Sequence, residues 1–359
     1  MKILDTINII LVLWSRIIPT HRCNQFLAVG CLTVVMGLFF SSCSSDTDTA
    51  DGGRMISMPI VLAIPANNAD LTTGTTGAKA TRAEGDPGTY EKFQLPTHLY
   101  IYLINTSIDE KETKVIPPEG MNPTTGYTLK ADKWTKTTTK DNNKDSIYTY
   151  NDQIRIIIPE NRKTGVVYAA MSTVPIAVTY TGTNVADATF TLGDAVSNKS
   201  EALKNLYSSP YNLNNSNGYY GTVSDYRSNS PYINMVLYHV ASKLDVQWNV
   251  DATVQDKVKL SQIKLTGLSG GGKLFKPLEN TASSSTYDET FDLDAGSQWY
   301  GRKATYVIPV QTDGEYQFPM TLTNSVNNSV KTTTAKATPS TTATVFVPWI
   351  YGTVKVTQW

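Results

Sequence analysis

The sequence predicts an all-β protein built as two tandem β-sandwich domains, and three observations carry that prediction. Short runs that alternate apolar and polar residues recur along the chain, separated about every ten residues by Gly, Pro, Asn, Asp and Ser clusters. Thr, Ser, Asn, Tyr and Val are abundant, and no long Ala/Leu/Glu/Lys stretch at helical period is present. The 359 residues hold three cysteines, Cys23, Cys31 and Cys43, so the body that follows must be held by its core and not by disulfides.

The first element is an export signal. Leu38-Phe39-Phe40-Ser41-Ser42-Cys43-Ser44-Ser45 ends an apolar run in small residues and one cysteine, with Arg22 and the uncharged stretch 26–40 ahead of it. This is the pattern of a bacterial lipoprotein signal, with Phe40 where Leu is usual. Cys43 would then begin the mature protein and carry acyl chains. Each buried methylene contributes roughly 0.8 kcal/mol, so two or more chains anchor stably. The apolar run is shorter than the ~20 residues a spanning helix needs. A second apolar patch at 9–14 makes either the signal long or the true start further in. Residues 1–42 are read as signal and 43–54 as a flexible acidic tether. About 315 residues remain, enough for two ordinary domains.

From 55 to 65 the chain places Ile56, Met58, Ile60, Leu62 and Ile64 on one face at period two. Pro59 lacks a backbone donor, which predicts a sheet edge. Residues 66–90 read as a loop in which Arg82, followed by Ala83, is open to a protease. A buried strand is expected at 99–104, then a polar stretch 109–145 with only short candidates such as 127–129. Strands at 154–158 and 166–171 flank a turn and predict a hairpin. Strands at 176–180 and 188–192 precede Asn198-Lys199-Ser200-Glu201, a capping-box-like start for one short helix carrying Ala202, Leu203, Leu206 and Tyr207. The loop-like segment 208–231 marks a boundary, giving an N-terminal domain 55–228 and a C-terminal domain 229–359. The latter opens with a long strand or bent pair at 233–250. It continues with strands at 258–268, 287–293, 305–310, 316–323, 330–337, 344–348 and 353–357.

Composition and motifs argue against chemistry. A formal net charge of +0 gives no electrostatic case for nucleic acid. The three histidines, His21, His98 and His239, assemble no Ser/His/Asp set, and no metal-ligand spacing or cofactor motif is seen, so no enzyme is expected. Residues 267–274 nearly spell a phosphate loop, but Leu274 stands where magnesium needs Ser or Thr, and a flexible hairpin turn is the reading. Asp288, Glu289, Asp292 and Asp294 cluster as glycosidase carboxylates do, yet three of them share one strand face, which suits a solvated edge or a weak calcium site. Asp141 and Asp145 lack calcium-loop spacing. Tyr207, Tyr211, Tyr219, Tyr220, Tyr226 and Tyr232 suit sugar rings or protein partners, or else cover the interdomain seam.

A lipoprotein cysteine, a tether, one alternating strand and a Thr81-Arg82-Ala83 loop precede a Leu-Tyr-Ile-Tyr strand and, much later, Leu237-Tyr238-His239-Val240-Ala241-Ser242-Lys243-Leu244-Asp245-Val246. In this order and spacing the chain resembles the FimA/Mfa-like fimbrillins, subunits of Bacteroidetes type V pili. The resemblance implies two tandem transthyretin-like Greek-key β-sandwiches and export to the outer membrane and cell surface on a lipid anchor. The tether would be either an address for the outer face or a plain linker. Cleavage after Arg82 by an arginine-specific protease would release the first strand as a plug, and other subunits, like or unlike, would assemble by strand exchange into a fimbrium that meets a host protein or glycan receptor. Five buried side chains at ~1.5–3 kcal/mol each make the opened slot worth on the order of 10 kcal/mol to its occupant. The donor in that family comes from the C-terminus, here 345–359 with Trp349, Ile350, Val354, Val356 and Trp359. The other reading makes 353–359 the last strand of its own sandwich. The alternative function is a non-pilus outer-membrane lipoprotein that binds glycans or host proteins.

Overall fold

The computed structural model describes residues 47–48, 53–65, 94–106, 113–138, 146–159, 166–209, 222–223, 232–337 and 349–359. The chain runs through β1 (Thr47–Asp48), β2 (Gly53–Pro65), β3 (His98–Thr106), β4 (Thr113–Ile116), β5 (Tyr127–Thr128), β6 (Trp134–Thr138), β7 (Ser146–Pro159), β8 (Val166–Ser172), β9 (Ile176–Thr179) and β10 (Thr189–Leu192). The short helix α1 (Lys199–Lys204) leads to β11 (Tyr207–Ser208), β12 (Thr222–Val223), β13 (Ile233–Val236) and β14 (Tyr238–His239). The remainder is β15 (Ser242–Val250), β16 (Leu260–Ser269), β17 (Gly271–Lys273), β18 (Thr286–Asp292), β19 (Tyr300–Val307), β20 (Gln311–Thr312), β21 (Glu315–Asn324), β22 (Val330–Ala337) and β23 (Trp349–Val356).

These strands form three sheets. The first follows the order β14-β11-β8-β12-β13-β2-β7-β6, with β1 beside β2 and with β3 beside β8 carrying β4 and β5. The third follows β18-β16-β21-β22-β23-β15-β19, with β20 beside β21. Between them lies the small sheet β17-β10-β9, which joins a strand from the second half of the chain to a hairpin from the first. Each large sheet folds around its own apolar core. A further core joins Tyr100, Tyr168 and Phe190 to Leu274, Phe275 and Ile308 across the seam.

The Leu-Tyr-Ile-Tyr-Leu run of β3 is explained by burial on both faces. Leu99, Ile101 and Leu103 enter the first core, while Tyr100 and Tyr102 enter the seam. Strand β8 does the same with Val167, Ala169 and Met171 against Tyr168 and Ala170. A strand covered on both sides reads as a continuous apolar run and not as an alternation. The expected helix cap is present, with the Asn198 side chain accepting from the Glu201 N–H at 2.9 Å. The helix then covers the edge of the third sheet, since the Tyr306 N–H of β19 donates to Ser200 Oγ at 2.9 Å. From the opposite end of that sheet, Tyr287 Oη of β18 donates to the Tyr306 carbonyl at 3.0 Å, so both margins meet at one residue. Such cover keeps an edge strand from pairing with other chains.

Several sequence expectations are corrected. The expected hairpin of 154–158 with 166–171 is not formed: β12, β13 and β2 separate β7 from β8 in the sheet, because both edges of β7 are taken by β2 and β6. Strand β6 lies in the stretch read as polar and holds only one large apolar residue, Trp134, which meets Tyr150 edge-on at 5.2 Å. The segment 233–250 breaks into three, and sheet membership passes from the first sheet to the third between His239 and Ser242. The glycine-rich stretch 267–274 is no flexible turn. Gly271 and Gly272 lie buried in β17, where an added Cβ would meet the Phe190 carbonyl or Asn280 Oδ1. Only glycine lets these backbones approach so closely. The strand expected at 344–348 lies outside the described residues.

Candidate strand-exchange site

Strand β2 is an interior strand, not the edge strand that Pro59 suggested. It pairs antiparallel with β7 over its whole length, from Gly53↔Pro159 to Pro65↔Ile147. On its other side it pairs parallel with β13 from Ile60↔Ile233 to Ala63↔Val236. Proline is tolerated there for a local reason. The Ala63 carbonyl accepts from Leu237 N–H at 2.9 Å, so the odd-numbered residues of β2 turn their backbone polar groups toward β13. Pro59 belongs to that set, and it falls between Met55, the last residue paired with β1, and Ile60, the first paired with β13. Among the described residues the missing donor thus faces no paired strand, a local edge within an interior strand.

The side chains of β2 explain its hold on the fold. Ile56, Met58, Ile60, Leu62 and Ile64 are all fully buried in the first core. They meet Tyr150, Ile154 and Ile156 of β7, Ile233 and Met235 of β13, and the inward residues of β3 and β8. Ser57 Oγ adds a bond to Gln153 Oε1 at 2.8 Å. At ~1.5–3 kcal/mol per buried side chain, this face contributes on the order of 10 kcal/mol before conformational entropy. Strand β2 therefore completes the core of the first sheet.

The C-terminal segment is a strand of its own sheet. Strand β23 pairs parallel with β15 from Lys243↔Trp349 to Val250↔Val356, and antiparallel with β22 at Lys336↔Thr353. Ile350, Val354 and Val356 are buried in the second core, and Gly352 lies against Ala335 and Leu244. Trp359 packs partly against that core and its indole N–H donates to Ser329 Oγ at 2.5 Å. The two halves share a device, since each large sheet pairs its first long strand in parallel with one near its C-terminal end, β2 with β13 and β15 with β23.

Cys43, Arg82 and Ala83 lie outside the described residues, as do Tyr211, Tyr219, Tyr220, Tyr226, Asp141 and Asp145. Of the tyrosine group, Tyr207 is buried and Tyr232 is 49% exposed. Tyr207 stacks at 4.6 Å on His239, whose ring also faces Tyr306 at 6.2 Å. Burial pulls the His239 imidazole down to about 4; a bond to the Lys204 backbone opposes that shift and the Lys204 ammonium adds to it. His98 Nδ1 lies 2.8 Å from the Thr125 carbonyl. Three of the four carboxylates of 288–294 have separate partners: Asp288 meets Lys264 at 2.8 Å, Asp292 meets Gln262 at 2.9 Å, and Asp294 meets Ser297 Oγ of its own turn at 2.6 Å. Asp288 and Asp292 lie on β18, an outer strand of the third sheet, and Asp294 lies just beyond it. Among the described residues no group of three or more His, Cys, Asp or Glu could hold a metal ion, and no helix is long and apolar enough to cross a membrane.

No protein-family model matches the chain, and no curated protein matches it. Solved structures do align with it. A candidate cell adhesion protein from Bacteroides uniformis overlaps with a TM-score of 0.37 at 12% identity, covering 86% of this chain and 94% of the other. A fimbrial assembly protein from Parabacteroides distasonis overlaps with a TM-score of 0.34 at 11% identity, covering 84% and 91%. The fimbrial anchor protein Mfa2 from Porphyromonas gingivalis gives a TM-score of 0.32 at 8% identity, covering 77% and 82%. These three neighbours carry adhesion and fimbrial names. At such TM-scores the overlap is loose, and the functional reading rests on this chain's own residues.

Proposed function

We propose that the chain is a structural and adhesive subunit of a cell-surface pilus, exported as an outer-membrane lipoprotein on Cys43, with β2 as a removable plug of the first sheet. The third sheet closes on its own last strand. One observation supports this reading above the others: a long strand near the N-terminus supplies five alternate side chains to a core that the rest of the first sheet leaves open on that side. A cut after Arg82 would leave β2 held only by backbone pairing and burial. Its departure would present the β7 and β13 edges beside an apolar slot, and such a slot invites strand addition by another subunit. The partners are other pilus subunits, and no cofactor is required.

The test is treatment of the full chain with an arginine-specific protease. The proposal predicts loss of a fragment ending at Arg82, followed by multimers that resist SDS when other subunits are supplied. A chain cut at Arg82 that stays monomeric with every such subunit, and binds a polysaccharide instead, would overturn it in favour of a glycan-binding surface lipoprotein.

A further inference from the structure

We infer that the outward face of the third sheet, across β19, β15 and β23, is a receptor site for a sugar that bears one carboxylate. The inference rests on the adhesive half of the proposed role and is independent of the plug. Cross-strand register lays the patch out in rows. Arg302 of β19 stands beside Gln247 of β15, and Gln247 beside Thr353 of β23. In the next row, Tyr300 stands beside Asn249 and Asn249 beside Lys355. Tyr351 of β23 lies one row away on the other side. These side chains share a face. It is the face turned away from the second core, because Val246, Trp248 and Val354 between them turn inward. Tyr300 is 66% exposed and Tyr351 is 54% exposed. Asn249, Arg302 and Thr353 are exposed, and Gln247 is half-buried. The two rings mark opposite corners of a patch about 10 Å across the strands and about 13 Å along them, with amides, a guanidinium and a hydroxyl between.

Elsewhere the outward face of this sheet pairs its own polar groups. Lys264 meets Asp288 at 2.8 Å, Gln262 meets Asp292 at 2.9 Å, and Lys336 meets Glu315 at 3.1 Å. Lys355, at the rim of the patch, lies 3.8 Å from Asp251. Within the patch the pattern stops. The side chains of Arg302, Asn249 and Thr353 have no hydrogen-bond or ion-pair partner among the described residues. Gln247 is tied to Asp245 at 3.3 Å, which fixes its amide in place. Asn is a poor strand residue, and no packing contact explains its exposed place on β15.

These groups together suit a sugar. A flat ring covers the apolar face of a pyranose, while amides and a hydroxyl meet its hydroxyl groups. A guanidinium grips a carboxylate through two parallel N–H bonds. One unpartnered guanidinium calls for one acid group. A polyanion calls for a field of cations, and a chain of formal net charge +0 with its neighbouring lysines paired supplies none. A protein partner needs an apolar centre to bury, and here the two rings stand apart with polar groups between them. The strands hold these groups in fixed positions, which a specific site requires.

Titration calorimetry on the full chain tests this. The probes are sialyllactose against lactose, and trigalacturonic acid against its methyl ester, so that an acid on a terminal sugar and an acid along a chain are read separately. The chain should bind the acid form of at least one pair at least about tenfold more tightly than the neutral form. Arg302→Gln should abolish that preference, and Tyr300→Ala should weaken binding of the preferred acid. Lys264→Gln removes the same charge from β16 of the same sheet and should leave binding within about twofold. No acid preference in either pair, or equal losses from Arg302→Gln and Lys264→Gln, would overturn the inference. Assembly after the cut at Arg82 is a separate readout. Multimers from a chain that binds none of the probes would overturn this inference alone, and acid-selective binding without multimers would overturn the pilus reading alone.

Discussion

Ile60 of β2 stands in parallel register with Ile233 of β13, across a chain separation that spans almost the whole first sheet. Both side chains are completely buried in the same core. That one pairing turns the N-terminal strand from a margin into the keystone of its sheet, and most expected behaviour of the protein follows from it.

Truncation at this position should be expensive. Ile60→Ala leaves a cavity among β7, β13 and the opposing strands, with an expected loss of ~2–5 kcal/mol. Denaturant unfolding, monitored at the first and third sheets separately, should locate that loss in the first.

Proline at 59 should matter little and proline at 60 a great deal. Pro59→Ala restores a donor that faces no paired strand among the described residues, so its effect should stay within about 1 kcal/mol. The Ile60 N–H points toward β7, in the middle of a continuous ladder. Ile60→Pro removes that donor together with a buried side chain and should cost at least about 3 kcal/mol. Thermal melts of the two variants settle the comparison.

This contrast also marks what sequence could and could not reveal. Alternation at Ile56–Ile64 disclosed a strand and its buried face, because period two is a local property. Whether that strand was interior depended on β13, some 170 residues away in a segment of weak pattern, and the proline argued for an edge on its own. Val330 to Ala337 and Asn198 were legible for the same local reason. Strand β6 was not, since its Thr and Lys suit an exposed edge and carry no apolar rhythm. The glycines of β17 looked like a loop because close approach to Phe190 leaves no mark in one sequence. The slot's apolar face was foreseeable from residues 55–65. The covered outward face at Val61 and Ala63 was not, since an apolar Val and Ala in a strand do not reveal what lies over them.

The seam should fail through its glycines. Gly271→Val drives a side chain into the Phe190 carbonyl, with an expected loss of about 1–3 kcal/mol from overpacking. Gly193→Ala, where nothing lies within 4 Å of an added Cβ, should be close to neutral. Limited proteolysis across 176–192 should accelerate in the first variant alone.

Stability should depend on pH through His239. Its folded value is about 4, against roughly 6.5 in an unfolded chain. Between these values the unfolded state binds more protons, so stability is complete above about 6.5 and declines as pH falls toward 4, by roughly 1–3 kcal/mol in all. Unfolding curves from pH 4 to 7 should show that slope, and His239→Phe should flatten it.

Hydrogen exchange on the chain cut within 66–90 tests the plug most directly. The account predicts that amides of β7 facing β2 are protected while the fragment is bound and lose protection when it leaves, while amides of β16 and β21 in the third sheet stay protected throughout. Simultaneous loss of protection in both sheets, or a fragment that cannot be removed without unfolding the whole chain, would contradict it.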